Sequence, residues 1–233
     1  MYFFVSKVRL ILNRMGYFVN SVKSSLSSSY FPASGEASAV SLVFDREGNR
    51  KYLTIAERTA FLEAAAGMPA EVRTFCMVLA YSGARLSEVL ALAPQRIDRA
   101  AGLVVIESLK KRRRGLYRAI PMPSGVLAEL NRVHEVFTAR QHAEFGRARL
   151  WPWSRTTGWS RVKEAMASAR IIGPQATPKG LRHGFAVAAL QSGVPINFVR
   201  RWLGHSRLST TEIYADAVGE EERAIAAKFW GTF

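Results

Sequence analysis

Apolar residues recur at the spacing of amphipathic helices from about residue 51 onward. Thr54 precedes the first periodic segment, over 55–66, and Gly67 follows it, which are typical helix boundaries. The pattern predicts a helix there and a second, more apolar helix over 71–81. Further helices are predicted over 86–92, from 124 to about 137 with a continuation toward 145, and over 159–169.

Only one region has the pattern of β-strands. Residues 103–106 form a β-branched run, the segment 117–122 is the expected partner strand, and Ile97 could start a third strand. The segment 110–115 would connect the two longer strands. Because helices dominate, we predict an α-rich mixed α+β fold with one small antiparallel β-sheet.

The stretch 177–214 contains three helix starts. Thr177 can cap a helix whose first residue is Pro178, and Pro195 stands at the head of another helix, which Gly204 can close in the left-handed conformation.

The third helix start in this stretch is less regular. Ser209 and Glu212 have the spacing of a capping box, which would place Tyr214 within the first turns of a helix. The stretch therefore carries Arg182, His205 and Tyr214 on short helices, and such side chains suit a site that holds a phosphate.

The charge balance supports an anionic partner. The 233-residue chain has 33 Lys and Arg against 18 Asp and Glu, a net charge of +15 and a pI near 10.6. Such an excess favours nucleic acid, and less often an anionic membrane surface or no polyanionic partner at all. The hydrophobic content of 48% is enough for a folded core.

Other compositional features exclude several classes of protein. A single cysteine, Cys76, permits no internal disulfide, agrees with a reducing cytoplasm, and lies in an apolar segment typical of buried residues. No charge-free apolar run approaches the roughly 20 residues that span a bilayer, and no secretory signal pattern is present. The motifs of metalloproteases, zinc sites, P-loop NTPases and serine hydrolases are also missing from the sequence.

Four motifs together resemble those of one enzyme family. Leu-Arg-His at 181–183, Leu-Gly-His at 203–205 and Tyr214 resemble, in this order, the C-terminal signature of the tyrosine recombinases, or phage integrase family. The upstream segment Ser-Gly-Ala-Arg-Leu-Ser-Glu at 82–88 resembles the one that carries the first arginine of that family.

The β region adds to this resemblance. Lys110, followed by Arg-Ala-Ile-Pro at 118–121, is similar to the lysine-bearing β-hairpin of the family. The resemblance extends over about residues 50 to 230. It implies the fold of the DNA breaking and rejoining enzymes.

The resemblance implies a role for each matching residue. Tyr214 would attack a DNA phosphate, while Arg85 and Arg182 would hold its non-bridging oxygens and His205 would donate a further hydrogen bond. Lys110 would protonate the leaving 5′-hydroxyl. This is covalent catalysis with electrostatic stabilisation, for which neither a metal nor another cofactor is expected.

Two positions leave the assignment open. The family motif usually begins with histidine three residues before the second arginine, and Lys179 stands there instead. A lysine can still donate to a phosphate oxygen, but it is a poor base near neutral pH. Lys111 is an alternative to Lys110 as the general acid, because two adjacent lysines leave the register ambiguous.

Each of these residues also has a plainer interpretation. Arg85 could simply pair with Glu88 at i+3, His205 could be a solvated residue after a helix, and Tyr214 could be a packing residue. Beyond the catalytic set, we expect nine basic residues to contact DNA phosphates: Lys111, Arg112, Arg113, Arg114, Arg118, Arg161, Lys163, Arg200 and Arg201.

The predicted organisation has two parts. Residues 1–50 read as a short basic segment followed by a Ser-rich linker, without the full core-binding domain that family members typically place there. Residues 51–233 read as the catalytic domain. The segment 220–230 is either a helix that docks into a neighbouring protomer or one that closes its own core.

By resemblance, the expected function is that of a cytoplasmic site-specific DNA recombinase or integrase, of the kind found in mobile elements. It would act as a homotetramer on two double-stranded DNA sites, without membrane association, and integration, excision, inversion and dimer resolution all remain open. The alternatives are a nicking and resealing enzyme like the type IB topoisomerases, and a non-catalytic or partner-dependent DNA-binding remnant of the same fold.

Overall fold

The computed structural model describes residues 43–109, 115–215, 226–227 and 229–231. These residues all belong to the unit that spans 40–233. Three predicted parts of the chain lie outside the described residues. They are the N-terminal segment with most of its linker, the basic segment 110–114 and most of the segment 220–230.

The described residues form nine α-helices, three β-strands and two short 3-10 turns. In chain order these are α1 Ile55–Ala66, α2 Ala70–Ser82, α3 Leu86–Leu90, a 3-10 turn Pro94–Arg96, β1 Ile97–Asp98, β2 Leu103–Glu107, β3 Tyr117–Pro121, α4 Ser124–His134, α5 Val136–Ala139, a 3-10 turn Phe145–Arg147, α6 Arg155–Ser168, α7 Pro178–Gln191, α8 Ile196–Leu203 and α9 Ser209–Glu212.

The helix ends follow the local signals in the sequence. Thr54 caps α1, where its hydroxyl accepts from the N–H of Glu57 at 3.2 Å and the Glu57 carboxylate accepts from the N–H of Thr54 at 2.9 Å. Gly83 and Gly204 end α2 and α8 in the left-handed conformation, with φ of 59° and 69°. The predictions of α1, α2, α7 and α8 are confirmed.

The three strands form one antiparallel sheet in the order β1-β2-β3. Val104 pairs with Ile97 on one side and with Ile120 on the other, and all three side chains are buried. Alternate residues of β2 and β3 face the core. The prediction of an α-rich fold with one small antiparallel sheet is confirmed.

Two predicted helix boundaries are wrong. The helix that begins at Ser124 ends at His134, because Glu135 adopts a left-handed conformation with φ of 49° and only the four-residue α5 follows. Helix α6 begins at Arg155, four residues earlier than predicted, because the hydroxyl of Ser154 accepts from the N–H of Thr157 at 3.0 Å.

The capping box predicted at Ser209 is also absent. Ser209 is the first helical residue of α9, and the preceding residue, Leu208, has helical dihedrals and makes no side-chain cap. Helix α9 ends at Glu212, so Tyr214 lies just beyond the helix and not within its first turns. The prediction took the spacing of Ser209 and Glu212 as sufficient, although a cap also needs an extended residue before the helix.

Helix α7 connects two clusters of buried side chains. The larger cluster surrounds Trp151 and Phe75, whose rings meet edge to face with centroids 5.2 Å apart, and it includes Leu181 of α7. The smaller cluster contains Phe185 of α7 together with Tyr214. One face of α7 therefore supports the main core, and another supports the chain segment that carries the tyrosine.

Helix α7 also lies directly against backbone, which explains a glycine near its start. A Cβ added to Gly180 would come within 1.9 Å of the carbonyl oxygen of Gln175. The carbonyl of Gly180 also accepts from the N–H of Leu53 at 3.2 Å. Only a residue without a side chain permits this approach, which fixes the position of the helix start.

We predict that Gly180→Ala lowers the free energy of unfolding by about 3 kcal/mol, because the added methyl group must displace backbone. Urea denaturation measures this change. Gly125→Ala is the matched control, since it also adds a methyl group near a helix start but meets no atom within 4 Å. The control should change stability by less than about 1 kcal/mol, and an equal loss in both variants would contradict the close packing of α7.

Candidate active site

Arg182 is the residue on which three distant chain segments converge. Its side chain lies in α7, and only 7% of the residue is exposed. Nη1 donates to the carbonyl of Gly83 at 2.7 Å, and Nη2 donates to the carbonyl of Leu203 at 2.8 Å. Nη2 also lies 3.1 Å from Nε2 of His205. The guanidinium therefore joins the ends of α2 and α8 to α7.

The local sequence explains why these groups meet. Thr177 caps α7 by accepting from the N–H of Gly180 at 3.0 Å, and Pro178 occupies the first turn, where no backbone donor is needed. The left-handed turns at Gly83 and Gly204 then redirect the chain at Arg85 and His205, respectively. Both residues are thereby brought next to Arg182.

A buried carboxylate organises the other arginines. Glu88 is 3% exposed, and its two oxygens accept from Nη1 of Arg85 at 3.0 Å and from Nη2 of Arg118 at 2.5 Å. Burial by itself would raise the pKa of Glu88, but hydrogen bonds and charge from Arg118, with a smaller contribution from Arg85, hold this pKa below its ordinary value. Glu88 is therefore ionised at neutral pH.

Arg118 connects the sheet to this site and is not available to DNA. Besides Glu88, it donates from Nε to the carbonyl of Trp202 at 2.6 Å and from Nη1 to the hydroxyl of Ser108 at 3.0 Å. Only 7% of the residue is exposed. We therefore correct the expectation that Arg118 contacts a DNA phosphate: its donors are taken up by protein acceptors inside the fold.

Arg85 forms the contact of its plainer interpretation, and its role toward a phosphate stays a prediction. It forms the i+3 pair with Glu88, and its side chain stays 32% exposed beside the buried Arg182. Burial, followed by the positive charge of Arg85, lowers the pKa of Arg182 to about 10, so Arg182 keeps its charge at neutral pH. Among the described residues, no carboxylate forms an ion pair with Arg182, although the negative charge of Glu88 acts on it without direct contact.

His205 is a neutral imidazole in this arrangement. Burial, followed by the charges of Arg182 and Arg85, lowers its pKa to about 4. Since a guanidinium can only donate, Nε2 must accept from Arg182, and the proton lies on Nδ1, which is 2.9 Å from the hydroxyl of Thr211. In this state His205 has no N–H left for a phosphate oxygen.

Tyr214 lies at the same site, with 3% of the residue exposed. Its ring stacks on that of His205, with centroids 6.2 Å apart and an interplanar angle of 18°. Its hydroxyl is 2.7 Å from Nδ1 of His183. Burial raises the pKa of Tyr214, and the charges of Arg182 and Arg85 only partly oppose this effect, so the phenol is protonated at neutral pH.

His183 is the site residue to which the sequence analysis gave no role. The available signal was its position directly after Arg182 in the Leu-Arg-His motif. Burial, followed by the charges of Lys179 and Arg182, lowers its pKa to about 3. Its Nε2 is buried and has no hydrogen-bond partner in the part of the chain that the structure describes.

The remaining predicted site residues lie in several places. Lys179 is exposed in the first turn of α7, one helical turn before His183. Lys110 and the basic residues Lys111, Arg112, Arg113 and Arg114 lie outside the described residues. Their predicted roles stay predictions.

The other predicted DNA contacts differ in exposure. Arg161 is exposed but pairs with Glu164 at 2.9 Å. Lys163 donates to the carbonyl of Ala176 at 2.7 Å, Arg200 is half-buried, and Arg201 is exposed over the ring of Phe198.

Neither a metal cluster nor a membrane span is found in the described part of the chain. No group of three or more His, Cys, Asp or Glu side chains among those residues is placed to hold a metal ion. None of the helices described there has the length and apolar character needed to cross a bilayer.

Comparison with known proteins adds a family match. The sequence profile of the phage integrase family matches residues 51–221. Tyrosine recombinase XerA of Thermococcus kodakarensis is 31% identical over 159 residues, which cover 67% of this chain and 54% of that protein. Tyrosine recombinase XerD of Shewanella oneidensis is 32% identical over 157 residues, covering 63% and 50% of the two chains. The chain thus spans about half the length of these curated relatives.

Solved structures share the fold. A crystal structure of XerA recombinase superposes with a TM-score of 0.62 at 24% identity, covering 76% of this chain and 64% of that one. The XerH site-specific recombinase bound to a palindromic difH substrate, in a post-cleavage complex, gives a TM-score of 0.68 at 18% identity, covering 89% and 59%.

We predict that mild acid destabilises this site. Unfolded histidine has a pKa of about 6.5, so His183 and His205 bind protons in the unfolded state well before they do in the folded state. Their contribution to stability is complete above about pH 6.5 and is lost as the pH falls toward the folded values, by at most about 1.4 kcal/mol per pH unit for each histidine.

Urea denaturation between pH 7.5 and 5 measures this loss. His205→Gln should make the free energy of unfolding less dependent on pH, because it removes one of the histidines whose pKa is lowered by burial, a group that also includes His134. The exposed His142 offers the control, and His142→Gln should keep the full dependence. A wild-type stability that does not change over this range would contradict the burial of two neutral histidines.

Proposed function

The chain belongs to the phage integrase family, and on this basis we propose that it is a site-specific tyrosine recombinase that cuts and rejoins DNA through a covalent 3′-phosphotyrosine. The observation that carries the proposal is the charge around Tyr214. The single carboxylate of Glu88 pairs with Arg85 and Arg118, whereas Arg182 pairs with no carboxylate among the described residues, so Arg182 and the partly exposed Arg85 leave an excess of positive charge there. A site with this excess of fixed donors favours an anion such as a phosphodiester.

In the proposed reaction, the hydroxyl of Tyr214 attacks the DNA phosphorus and the bond from phosphorus to the 5′-oxygen breaks. Arg182 and the partly exposed Arg85 neutralise the non-bridging oxygens, and Lys110 protonates the departing 5′-oxygen. Religation reverses each step with a different 5′-hydroxyl. The phosphotyrosine conserves the energy of the broken bond, so the proposed cycle needs no nucleotide cofactor and no metal.

The phosphate must come next to the phenol for this attack, and the phenol is carried on a short segment. Tyr214 lies two residues beyond the end of α9, a helix of only four residues. We infer that small changes in this segment admit the phosphate while the hydroxyl of Tyr214 stays beside Nδ1 of His183. In the proposed complex, His205 exchanges its contact with Arg182 for one with the phosphate, which favours its protonated form.

The partners and organisation are part of the same proposal. We infer a homotetramer on two double-stranded DNA sites, in the cytoplasm, with residues 51–233 as the catalytic domain and 1–50 as a short appended segment. The net charge of +15 supports a DNA partner. In this proposal Lys179 donates a hydrogen bond to a phosphate oxygen.

A nicked suicide substrate, which traps the covalent intermediate by losing a short 5′ fragment, tests the proposal. We predict that the wild-type protein forms a covalent adduct on DNA from the region that flanks its own coding sequence. Tyr214→Phe should form none, because it lacks the attacking oxygen, and should bind the same DNA within about twofold. Wild-type binding without any adduct would instead support a non-catalytic DNA-binding protein.

A second prediction concerns the basic hairpin segment. Binding should weaken as salt rises, and replacing Arg112 and Arg113 with alanine should reduce the slope of log K against log salt by about 1.8, since each lost phosphate contact removes about 0.9. Arg132→Ala is the control, because Arg132 is exposed but pairs with Glu129 at 2.7 Å. An equal change in both variants would rule out a specific role for the hairpin.

A further inference from the structure

Tyr214 and His183 form a buried side-chain contact. The phenolic oxygen lies 2.7 Å from Nδ1 of the imidazole, and the two residues are 3% and 6% exposed. A short hydrogen bond that is excluded from water holds its geometry better than one at the surface. The nucleophile of the proposed reaction therefore already has a fixed hydrogen-bond partner.

The protonation states define the direction of this bond. The pKa of Tyr214 is raised by burial, so its oxygen carries a proton, while the pKa of His183 is lowered to about 3, so its ring is neutral. A neutral imidazole has one free acceptor nitrogen. With the phenol as donor, Nδ1 is that acceptor and the ring proton lies on Nε2, the nitrogen without a partner among the described residues.

Other basic groups near the phenol are engaged elsewhere. Nε2 of His205 accepts from Arg182, and its Nδ1 faces Thr211. The carboxylate of Glu88 accepts from two arginines. Lys179, at the place where the family usually has histidine, is exposed in the first turn of α7.

We propose that His183 accepts the proton of Tyr214 during DNA cleavage, an inference that rests on the proposed recombinase function. As the tyrosine oxygen bonds to phosphorus, its proton passes to Nδ1 of His183. The bond from phosphorus to the 5′-oxygen breaks, and that oxygen takes its electron pair and a proton from Lys110. In religation, Lys110 recovers a proton from the attacking 5′-hydroxyl, and His183 returns its own to the departing tyrosine.

The arrival of DNA makes this transfer more favourable. The charged and titratable groups around His183 are Tyr214, Lys51, Lys179, Arg182 and His205. All except Tyr214 oppose a positive charge on its ring. A phosphate between these cations offsets their field and raises the basicity of His183. Without DNA the same field keeps the ring neutral and ready to accept.

His183→Asn separates proton transfer from simple positioning. The amide oxygen of asparagine lies near the place of Nδ1 and can accept the same hydrogen bond, but it cannot take up a proton. The assay is the first-order rate of adduct formation between pH 6 and 9 on a suicide substrate with sulfur in place of the leaving 5′-oxygen. Sulfur leaves without being protonated, so the reaction of this substrate no longer needs a proton from Lys110. The only proton transfer left in the cleavage step is the loss of the Tyr214 hydroxyl proton.

We expect the His183→Asn protein to react about 100-fold more slowly than wild type at pH 7, the usual scale of general base catalysis. Its rate should rise about tenfold per pH unit, because the phenolate must then form before attack, while the wild-type rate changes little. Wild type should also react more slowly in D₂O on the sulfur substrate. This wild-type measurement tests the proposal even where a substitution of the buried His183 impairs folding.

Two control variants distinguish the outcomes. Lys110→Ala should be slow on the normal substrate and recover on the sulfur substrate, whereas His183→Asn should not recover. The exposed His142 serves as the matched position, and His142→Asn should behave as wild type. Either of two results would overturn the role of His183. One is a His183→Asn protein that binds DNA and reacts at least as fast as wild type, with the same pH dependence. The other is a wild-type protein that shows no isotope effect. A wild type that forms no adduct would overturn the recombinase function itself.

Discussion

The buried charge of Arg182 is the constraint on which the rest of this site depends. A guanidinium with 7% exposure loses most of its hydration, and among the described residues it is compensated by two backbone carbonyls and a neutral histidine without a paired carboxylate. Such an arrangement is stable only if the carbonyls are held rigidly, and the left-handed turns at Gly83 and Gly204 hold them. The remaining positive field lowers the pKa of both neighbouring histidines and is best satisfied by an anion from outside.

The bonds of Arg118 explain how this small site is joined to the rest of the fold. The side chain of Arg118 in β3 contacts the carboxylate of Glu88 in α3, 30 residues earlier, and the carbonyl of Trp202 in α8, 84 residues later. The elements that present Arg85 and His205 are thereby both attached to β3. A buried ion pair contributes little net stability compared with apolar packing, but removing one partner leaves an unpaired buried charge. The positions of α3 and α8 at the site therefore depend on the same side chain of the sheet.

The sequence was most informative where the signal is local. The caps at Thr54 and Thr177 and the glycine end of α8 depend on a few adjacent residues, and these predictions are confirmed. The proximity of Arg182, His205 and Tyr214 could be predicted only through the family resemblance, because no local pattern brings residues 32 positions apart together. Arg118 was misassigned, since a basic residue on a short strand looks the same in sequence whether it faces solvent or a carboxylate 30 residues away. His183 was missed for a related reason, because its partner lies 31 residues away and just past a helix whose cap was misjudged.

One buried polar atom at this site has no protein partner. In the described residues, three buried side-chain nitrogens lack a hydrogen-bond partner: Nη1 of Arg58, Nε2 of His183 and Nε1 of Trp202. Of these, His183 is the one that contacts Tyr214. Folds seldom leave buried polar groups unpaired, and an exception next to candidate catalytic residues agrees with a functional constraint on that ring. The hydrogen bond of Nδ1 to the phenol therefore fixes the orientation of the imidazole without help from its second nitrogen.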